Sequence, residues 1–163
     1  MVQDLSVSIT AFSTATPGFP YYNYIQYCNE GLLPMSGTVE LTYDSQLEWA
    51  PSGNTAAGNY YNTYPLPTSS NTVSQVLTWD FVNLAPYQCR TIYVDFNTPI
   101  NMGLMPGMPV VQNVNITPVA GDATPSNNIA SLNDSITSSW DPNDKAVYPC
   151  LLYTSPSPRD KTV

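Results

Sequence analysis

The chain has 163 residues, of which 42% are apolar and only 10% are charged, a composition typical of one folded domain rather than a disordered acidic segment. Its net charge of −8 argues against nucleic acid and anionic membrane as partners. It contains no histidine, which removes the commonest general base and metal ligand. Sixteen prolines and eight glycines beside few strong helix formers favour β-structure.

The predicted elements begin with two strands. In "DLSVSITAF", Leu5, Val7 and Ile9 alternate with hydroxyl-bearing residues, the period-2 pattern of a strand with one buried face. "TPGFP" interrupts this pattern, as Pro-Gly pairs do. The alternation in "YYNYIQYCNEG" then puts Ile25 and Cys28 on opposite faces of a second strand.

Five later segments extend the same pattern: "SGTVELTYD", "VSQVLTWDFVNLAP", "CRTIYVDFNTP", "VVQNVNITPV" and "IASLNDSITSSW". Trp79 and Phe81 are predicted to be core residues. About seven strands separated by turns, with no helical periodicity, predict an all-β, immunoglobulin-like antiparallel β-sandwich. In the connection "INMGLMPGMP", the three methionines Met102, Met105 and Met108 are expected to plug one end of the sandwich.

The long segment between residues 44 and 71 contains a candidate binding loop. Trp49, Tyr60, Tyr61 and Tyr64 lie among glycines and asparagines. Exposed Tyr and Trp side chains suit stacking on sugar rings or contact with a protein partner, because each offers a large rigid surface with a polar edge. The alternative is that these rings pack back onto the edge of the sandwich.

A candidate metal site lies near the end of the pattern. Asp141, Asn143 and Asp144 in "DPND" supply oxygen ligands that calcium could use. The same four residues also form a good plain turn, because Asp and Asn side chains cap their own backbone and proline presets φ. Apart from this possible structural calcium, no cofactor is expected.

No catalytic arrangement is visible in the sequence. Glu40, Glu48, Asp80 and Asp95 are predicted to lie at outward or loop positions, and nothing in the sequence pairs them. The chain also lacks a glycine-rich phosphate loop and a CxxC pair. We therefore expect that the protein is not an enzyme.

Several short motifs resemble one family, and they follow one another in its order: "DLSVSI", "YIQYCNEG", "WDFVNLAPYQCRTIYVDF", "GDATPSNN" and "SWDPNDKAVYP". Over residues 4–149 the chain is similar to the bacterial surface "conserved repeat" domains, immunoglobulin-like sandwiches of very large proteins exported by the type IX secretion system. The tyrosine-rich insert at residues 60–64 departs from that pattern. The resemblance implies a location outside the cell and an architecture, since the family has no common activity.

The sandwich implied by this resemblance makes the strands that hold Cys28 and Cys89 antiparallel neighbours, so that a disulfide between them is plausible. Export would favour the disulfide, and the alternative is a pair of unlinked thiols near the surface. A nucleophilic cysteine has no histidine to activate it.

The last fourteen residues look foreign to the domain. "CLLYTSPSPRD" resembles the translated adapter used to prepare sequencing libraries, and the alternative is a natural Pro-Ser linker. We therefore divide the chain into a sandwich (1–139), an interdomain junction (140–149) and a non-native tail (150–163). The start "MVQDLSVSIT" lacks the features of a signal peptide, which is also expected of a piece cut from a longer chain.

These observations predict a non-catalytic spacer module of a large secreted or cell-surface bacterial protein. Its expected partners are the neighbouring domains of the same chain. The alternative is an adhesin-like module that binds a glycan or a surface protein through the loop containing Trp49, Tyr60, Tyr61 and Tyr64.

Overall fold

The computed structural model describes residues 2–49, 63–100 and 102–138. Within them lie nine strands: β1 (Leu5–Ala11), β2 (Pro20–Asn29), β3 (Met35–Thr42), β4 (Glu48–Trp49), β5 (Ser69–Asn71), β6 (Val76–Leu84), β7 (Cys89–Asn97), β8 (Pro109–Thr117) and β9 (Ile129–Ser135). One 3-10 helix (Pro125–Asn128) precedes β9. None of the helices in these ranges is long and apolar enough to cross a membrane.

Two antiparallel sheets form the fold, which confirms the predicted β-sandwich. One sheet has the strand order β1-β2-β7-β4, and the other has the order β5-β6-β3-β8-β9. The seven long strands match the predicted segments, while β4 and β5 are short additions at the sheet edges. Each sheet therefore has one long edge strand, β1 or β9, and one very short edge strand, β4 or β5.

The core is built from the inward row of each strand. Ile25, Val39, Leu77, Ile92 and Ile116 are completely buried, and their outward neighbours along each strand are more exposed. The predicted core residues Trp79 and Phe81 are also buried. Burial of alternate side chains between two stacked sheets is the main favourable contribution to folding here.

The predicted methionine plug is wrong. Met102 and Met105 are 50% and 66% exposed, and Met108 is 36% exposed. The connection contains a tight turn at the surface, in which the Met108 amide donates to the Met105 carbonyl at 3.1 Å and Gly107 adopts a φ of +92°. From this segment, Leu104 packs against the core instead.

The outward position predicted for Asp95 is correct, but the side chain is covered. Alternation does place it on the outer face of β7, yet its exposure is only 1%. Thr63 lies beside it, and the Asp95 amide donates to the Thr63 hydroxyl oxygen at 3.2 Å. The chain covers this position from outside the sheet, which the alternation within β7 cannot indicate.

Cys28 and Cys89 are directly opposite each other in the β2–β7 ladder and form a disulfide. The predicted pairing is therefore confirmed. Because the bond closes a loop of 61 residues, the chain-entropy model gives a stabilisation of about 4 kcal/mol. It fixes β2 against β7 at the end of the sheet where the motif "CNEG" begins.

Asn29, the asparagine of that motif, connects the two sheets. Its side chain is fully buried and donates to the carbonyls of Leu33 at 2.6 Å and Leu84 at 2.8 Å, while its oxygen accepts the Gly31 amide at 3.0 Å. A Cβ at Gly31 would lie 2.6 Å from the Val2 carbonyl oxygen. We call these contacts the Asn29 clasp. They explain why the motif contains both Asn29 and Gly31.

The motif "GDATPSNN" has a similar structural role at the start of β1. The Asp122 carboxylate accepts the backbone amides of Leu5 and Thr124 at 2.9 Å each, and the Asn128 side chain at 3.1 Å. Asp4 in turn accepts the Asn127 side chain at 3.1 Å. The loop between β8 and β9 thereby anchors β1 of the opposite sheet.

Two polar contacts, one buried and one partly buried, cross the space between the sheets. Gln112 of β8 donates to Asn23 of β2 at 2.5 Å, and the Tyr21 hydroxyl donates to Asp134 of β9 at 2.7 Å. Burial, reinforced by the Asp134 carboxylate, raises the pKa of the Tyr21 phenol above its usual value of 10.0. The folded state therefore favours the neutral phenol.

Replacing Asn29 with Ala should lower the free energy of unfolding by about 2–4 kcal/mol, because two buried carbonyls and a buried amide lose their partner. Urea denaturation measures this. Asn133→Ala, at an exposed position of β9, is the matched control and should cost less than about 0.5 kcal/mol. Equal losses for the two variants would contradict the clasp.

The raised pKa of Tyr21 should make stability fall at alkaline pH. A phenol whose folded pKa exceeds its unfolded pKa stabilises fully below pH 10, and this contribution is lost as pH rises above 10. Burial also raises the pKa values of Tyr27 and Tyr43, which act in the same direction. Tyr21→Phe should cost about 1–3 kcal/mol at pH 8 through the lost bond to a carboxylate.

The measurement is urea denaturation of wild type and Tyr21→Phe between pH 8 and pH 11. Wild type should lose more stability over this range than the variant, since the variant lacks one of the shifted phenols. Two parallel stability profiles would contradict the assignment.

Candidate functional site

The outer faces of the two sheets differ in chemistry. On the five-stranded sheet, polar side chains bond to one another: Thr38 to Asp80 at 3.0 Å, and Ser131 to Asn113 at 2.6 Å. On the four-stranded sheet, several outward positions from the middle of the β2–β7 ladder towards the start of β2 carry aromatic rings. Since both sheets already supply a buried face, this difference is not required by packing of the core.

We call the aromatic residues of the four-stranded sheet the aromatic strip. Its members are Phe12, Tyr22, Tyr24, Tyr64 and Tyr93. Phe12 directly follows β1, two tyrosines lie on β2, and Tyr93 lies on β7. Tyr64 belongs to a segment that pairs with β7 at a single bridge. The strip therefore crosses four neighbouring chain segments.

Three members form a tyrosine row at right angles to the strands. Tyr24 is directly opposite Tyr93, and Tyr93 is directly opposite Tyr64. Tyr93 and Tyr64 exchange both backbone hydrogen bonds, at 2.8 and 2.9 Å. Opposite residues project from the same face, and neighbouring strands lie about 4.8 Å apart, so that the row spans about 10 Å.

The fourth and fifth rings extend the strip beyond the row. The Phe12 ring stacks on Tyr22 with centroids 5.5 Å apart, and it lies 5.9 Å from the Tyr24 ring at a tilt. Its amide also donates to the Tyr22 carbonyl at 3.0 Å. These contacts hold Phe12 beside the end of the row although it lies outside β1.

The rings present substantial surface to solvent. Tyr64 is 73% exposed, Tyr93 47% and Phe12 45%, while Tyr22 and Tyr24 are half-buried. Two residues along the strands from the row, at the next outward position, lie Ser8, Gln26 and Thr91, which are opposite one another in the ladders and uncharged. The strip thus combines flat apolar surface with neighbouring hydroxyl and amide groups.

The surface around the strip carries little charge, and no basic side chain of the described ranges lies on it. Within those ranges, Arg90 is the single basic residue, and its guanidinium donates to the carbonyls of Val82 and Asn83 at 3.2 and 3.3 Å. Asp95 adjoins the strip but is buried beneath the segment at Thr63. The exposed surface of the strip is therefore aromatic and uncharged.

An open groove of about 600 Å³ adjoins the strip at Tyr22. Thr14, Thr16 and Thr137 line it, and the Thr16 and Thr137 hydroxyls bond to each other at 2.6 Å.

Within residues 2–49, 63–100 and 102–138, no group of three His, Cys, Asp or Glu side chains could hold a metal ion.

The predicted binding loop is only partly within the described residues. Trp49 is half-buried, packs against the core and donates its indole N–H to Thr63 at 3.1 Å. Tyr64 is exposed and belongs to the strip. Tyr60 and Tyr61 lie outside the described residues, as do the predicted calcium ligands Asp141, Asn143 and Asp144.

Sequence reasoning missed four strip residues: Phe12, Tyr22, Tyr24 and Tyr93. A signal existed for two of them, because alternation along β2 places Tyr22 and Tyr24 on the face opposite the buried row. Their proximity to Tyr93 and Phe12 required knowledge of the strand neighbours and register.

Neither the protein-family models nor the curated protein sequences contain a match to this chain. Among solved structures, the chain is similar to the CARDB domain of a Pyrococcus furiosus protein, crystallised in complex with di-metal ions. The TM-score is 0.54 at 14% identity, covering 85% of this chain and 96% of that one.

A second similar structure is the type III cohesin module of the cell-surface anchoring scaffoldin ScaE of Ruminococcus flavefaciens. The TM-score is 0.51 at 10% identity, covering 85% of this chain and 89% of that one. At such low identities these similarities establish a shared β-sandwich fold.

Thr63 attaches the segment that contains Tyr64 to the four-stranded sheet. Thr63→Val should therefore weaken the attachment of the strip at Tyr64. The buried Thr63 hydroxyl oxygen accepts both the Trp49 indole N–H and the Asp95 amide, and both donors would lose it. We expect a loss of about 2 kcal/mol or more in unfolding free energy, measured by urea denaturation.

The wavelength of maximum tryptophan emission of the folded variant should also shift, because the environment of Trp49 changes. Thr42→Val, at an exposed position of β3, is the control and should change neither quantity. An unchanged stability of Thr63→Val would show that this hydroxyl does not hold the segment.

Proposed function

We propose that this domain is a non-catalytic spacer module of a longer secreted or cell-surface bacterial protein, where it separates and presents neighbouring domains. The observation that carries the proposal is the path of the chain. The described chain enters the sandwich at one end and leaves it at the other. This path suits a module that lies between two neighbouring domains.

Two parallel bridges establish this path. Gln3, ahead of β1, pairs with Asp122, and Ala15, after β1, pairs with Ile136. The chain therefore enters beside Asp122 and leaves beside Ala15, with the whole of β1 in between. Seven residues of strand at 3.3 Å each separate these ends by about 23 Å.

This geometry determines how tension would cross the module. Pulling the two ends apart loads β1 along its own axis, parallel to its seven-residue ladder with β2. The ladder bonds then resist together in shear rather than one at a time. Thr137 adds a bond at the exit, where its amide donates to the Ala15 carbonyl at 2.9 Å.

The disulfide supports a location outside the cell. Disulfides persist in oxidising compartments and are rare in the cytosol, and Cys28 and Cys89 are joined here. The high content of hydroxyl and amide side chains on the outer face of the five-stranded sheet suits an exported protein that must stay soluble. Export by the type IX system rests on the family resemblance.

A non-catalytic role is supported by the arrangement of the carboxylates. Asp80 accepts the Thr38 hydroxyl on an outer sheet face, and Asp95 is buried at the other sheet. Asp44 is used in a turn, where it accepts the Gln46 and Val111 amides at 2.9 Å each. These acids hold the fold together at separate places.

The proposal includes two segments beyond residue 138. Residues 140–149 would be the junction to the next module, and residues 150–163 would be foreign to the natural protein. The sequence of the source gene tests this division. A calcium ion at Asp141, Asn143 and Asp144 stays a prediction, and melting curves with calcium and with chelator should differ if it binds.

Single-molecule pulling of the chain from its two ends should give one abrupt unfolding event, because the β1 ladder is loaded in shear. Under oxidising conditions the 61-residue disulfide loop stays closed. Reduction should lengthen the released chain by roughly 200 Å, at about 3.5 Å per residue.

The Cys28→Ser/Cys89→Ser variant is the control, and its released length should be the same with and without reductant. Gradual extension at low force in the oxidised protein would contradict a spacer that carries tension. An oxidised wild-type length equal to that of the variant would contradict the disulfide.

A further inference from the structure

We propose that the aromatic strip binds a neutral polysaccharide, whose sugar rings lie along the tyrosine row across β2 and β7. This is a binding activity in addition to the spacer role, and it uses the outer face of the four-stranded sheet rather than the ends of the sandwich.

The tyrosine row matches the chemistry of a sugar ring. One face of a pyranose presents C–H groups with slight positive charge, whereas the face of an aromatic ring carries slight negative charge. Tyr24, Tyr93 and Tyr64 offer three such rings at successive strand positions over about 10 Å. A linear glycan crossing the strands would meet them in succession.

The backbone holds this row in place before any ligand binds. Tyr24 and Tyr93 lie within long, directly paired strands, and Tyr64 is fixed to Tyr93 by two hydrogen bonds of 2.9 and 2.8 Å. A preorganised surface loses little conformational entropy on binding. Tyrosine adds to this, because it has only two side-chain torsions for a large contact area.

Polar groups suited to sugar hydroxyls lie beside the row. Thr10 is opposite Tyr24 in the β1–β2 ladder, and Gln26 and Thr91 are opposite each other in the next outward position. Hydroxyl and amide groups both donate and accept hydrogen bonds, as sugar hydroxyls do. The row is therefore bordered by groups that could orient a glycan.

Charge selects the class of glycan. The described residues place no cation on the strip, since Arg90 donates its guanidinium N–H groups to the carbonyls of Val82 and Asn83. The whole chain carries a net charge of −8. Uronate or sulfate groups would be repelled by this field rather than attracted. An uncharged polysaccharide fits both the strip and its surroundings.

The area of the strip favours a glycan over a protein partner. At 150–250 Å² per aromatic side chain, the observed exposures leave on the order of 400 Å² available. A standard protein–protein interface needs about 800 Å² from each partner. The aromatic surface alone supplies about half of that area, whereas it is long enough for sugar units stacked on the row.

The test is affinity electrophoresis of the full chain in native gels that contain a soluble neutral polysaccharide. Galactomannan, xylan and hydroxyethylcellulose are the probes, and alginate is the anionic comparison. We expect retardation by at least one neutral probe and none by alginate. Retardation should be unchanged between 50 and 500 mM salt, because no ion pairs form.

Substitutions on the row distinguish stacking from other binding. Tyr93→Ala and Tyr64→Ala should each weaken retardation about tenfold, while Tyr93→Phe should retain it, because the ring face remains. Tyr87→Ala is the matched control: Tyr87 is also 73% exposed but lies in the turn before β7, outside the strip. Thermal melting of every variant establishes that it is folded.

Retardation by no neutral probe would overturn the proposal, and so would retardation that survives the Tyr64→Ala/Tyr93→Ala double substitution in a folded protein. Stronger retardation by alginate, or capture of a protein partner without glycan binding, would also overturn it. None of these results bears on the pulling experiment, so the spacer function and the glycan site can fail separately.

Discussion

The structure depends on one constraint, which is that each long strand commits every second side chain to the space between two sheets. Ile25 and Val39, which lie in different sheets, are both completely buried. Once the inward rows are committed, the outward rows are free of the core and can differ between sheets. One outer face has accordingly become a network of small polar groups, and the other has gained an aromatic strip.

Buried polar contacts then determine how the two sheets are aligned. Apolar side chains pack without strong directionality, whereas hydrogen bonds between buried groups tolerate little misplacement. Asn29 bonds to a carbonyl in the opposite sheet, and Asp122 holds the start of β1 from the loop before β9. Two of the short motifs that carry the family resemblance, "YIQYCNEG" and "GDATPSNN", thus have structural roles, and such motifs indicate a fold rather than an activity.

The two proposed functions use different parts of this scaffold. A spacer requires ends on opposite sides and a ladder that is loaded in shear, and both follow from β1 and its parallel bridges at Gln3 and Ala15. A glycan site requires a flat, rigid and uncharged surface, which the middle of the β2–β7 ladder supplies. Because neither proposed role alters the core, the two proposals are compatible within one module.

The sequence by itself determined the strands, their inward rows and the burial of residues such as Trp79, because alternation is a local property that each segment carries alone. Resemblance to known sandwiches was needed to pair the two cysteines. Tertiary structure alone decided that Asp95 is covered and that Tyr24, Tyr93 and Tyr64 form a row. Alternation states which face a side chain occupies, but the neighbours on that face depend on strand order and register, which distant parts of the chain settle together.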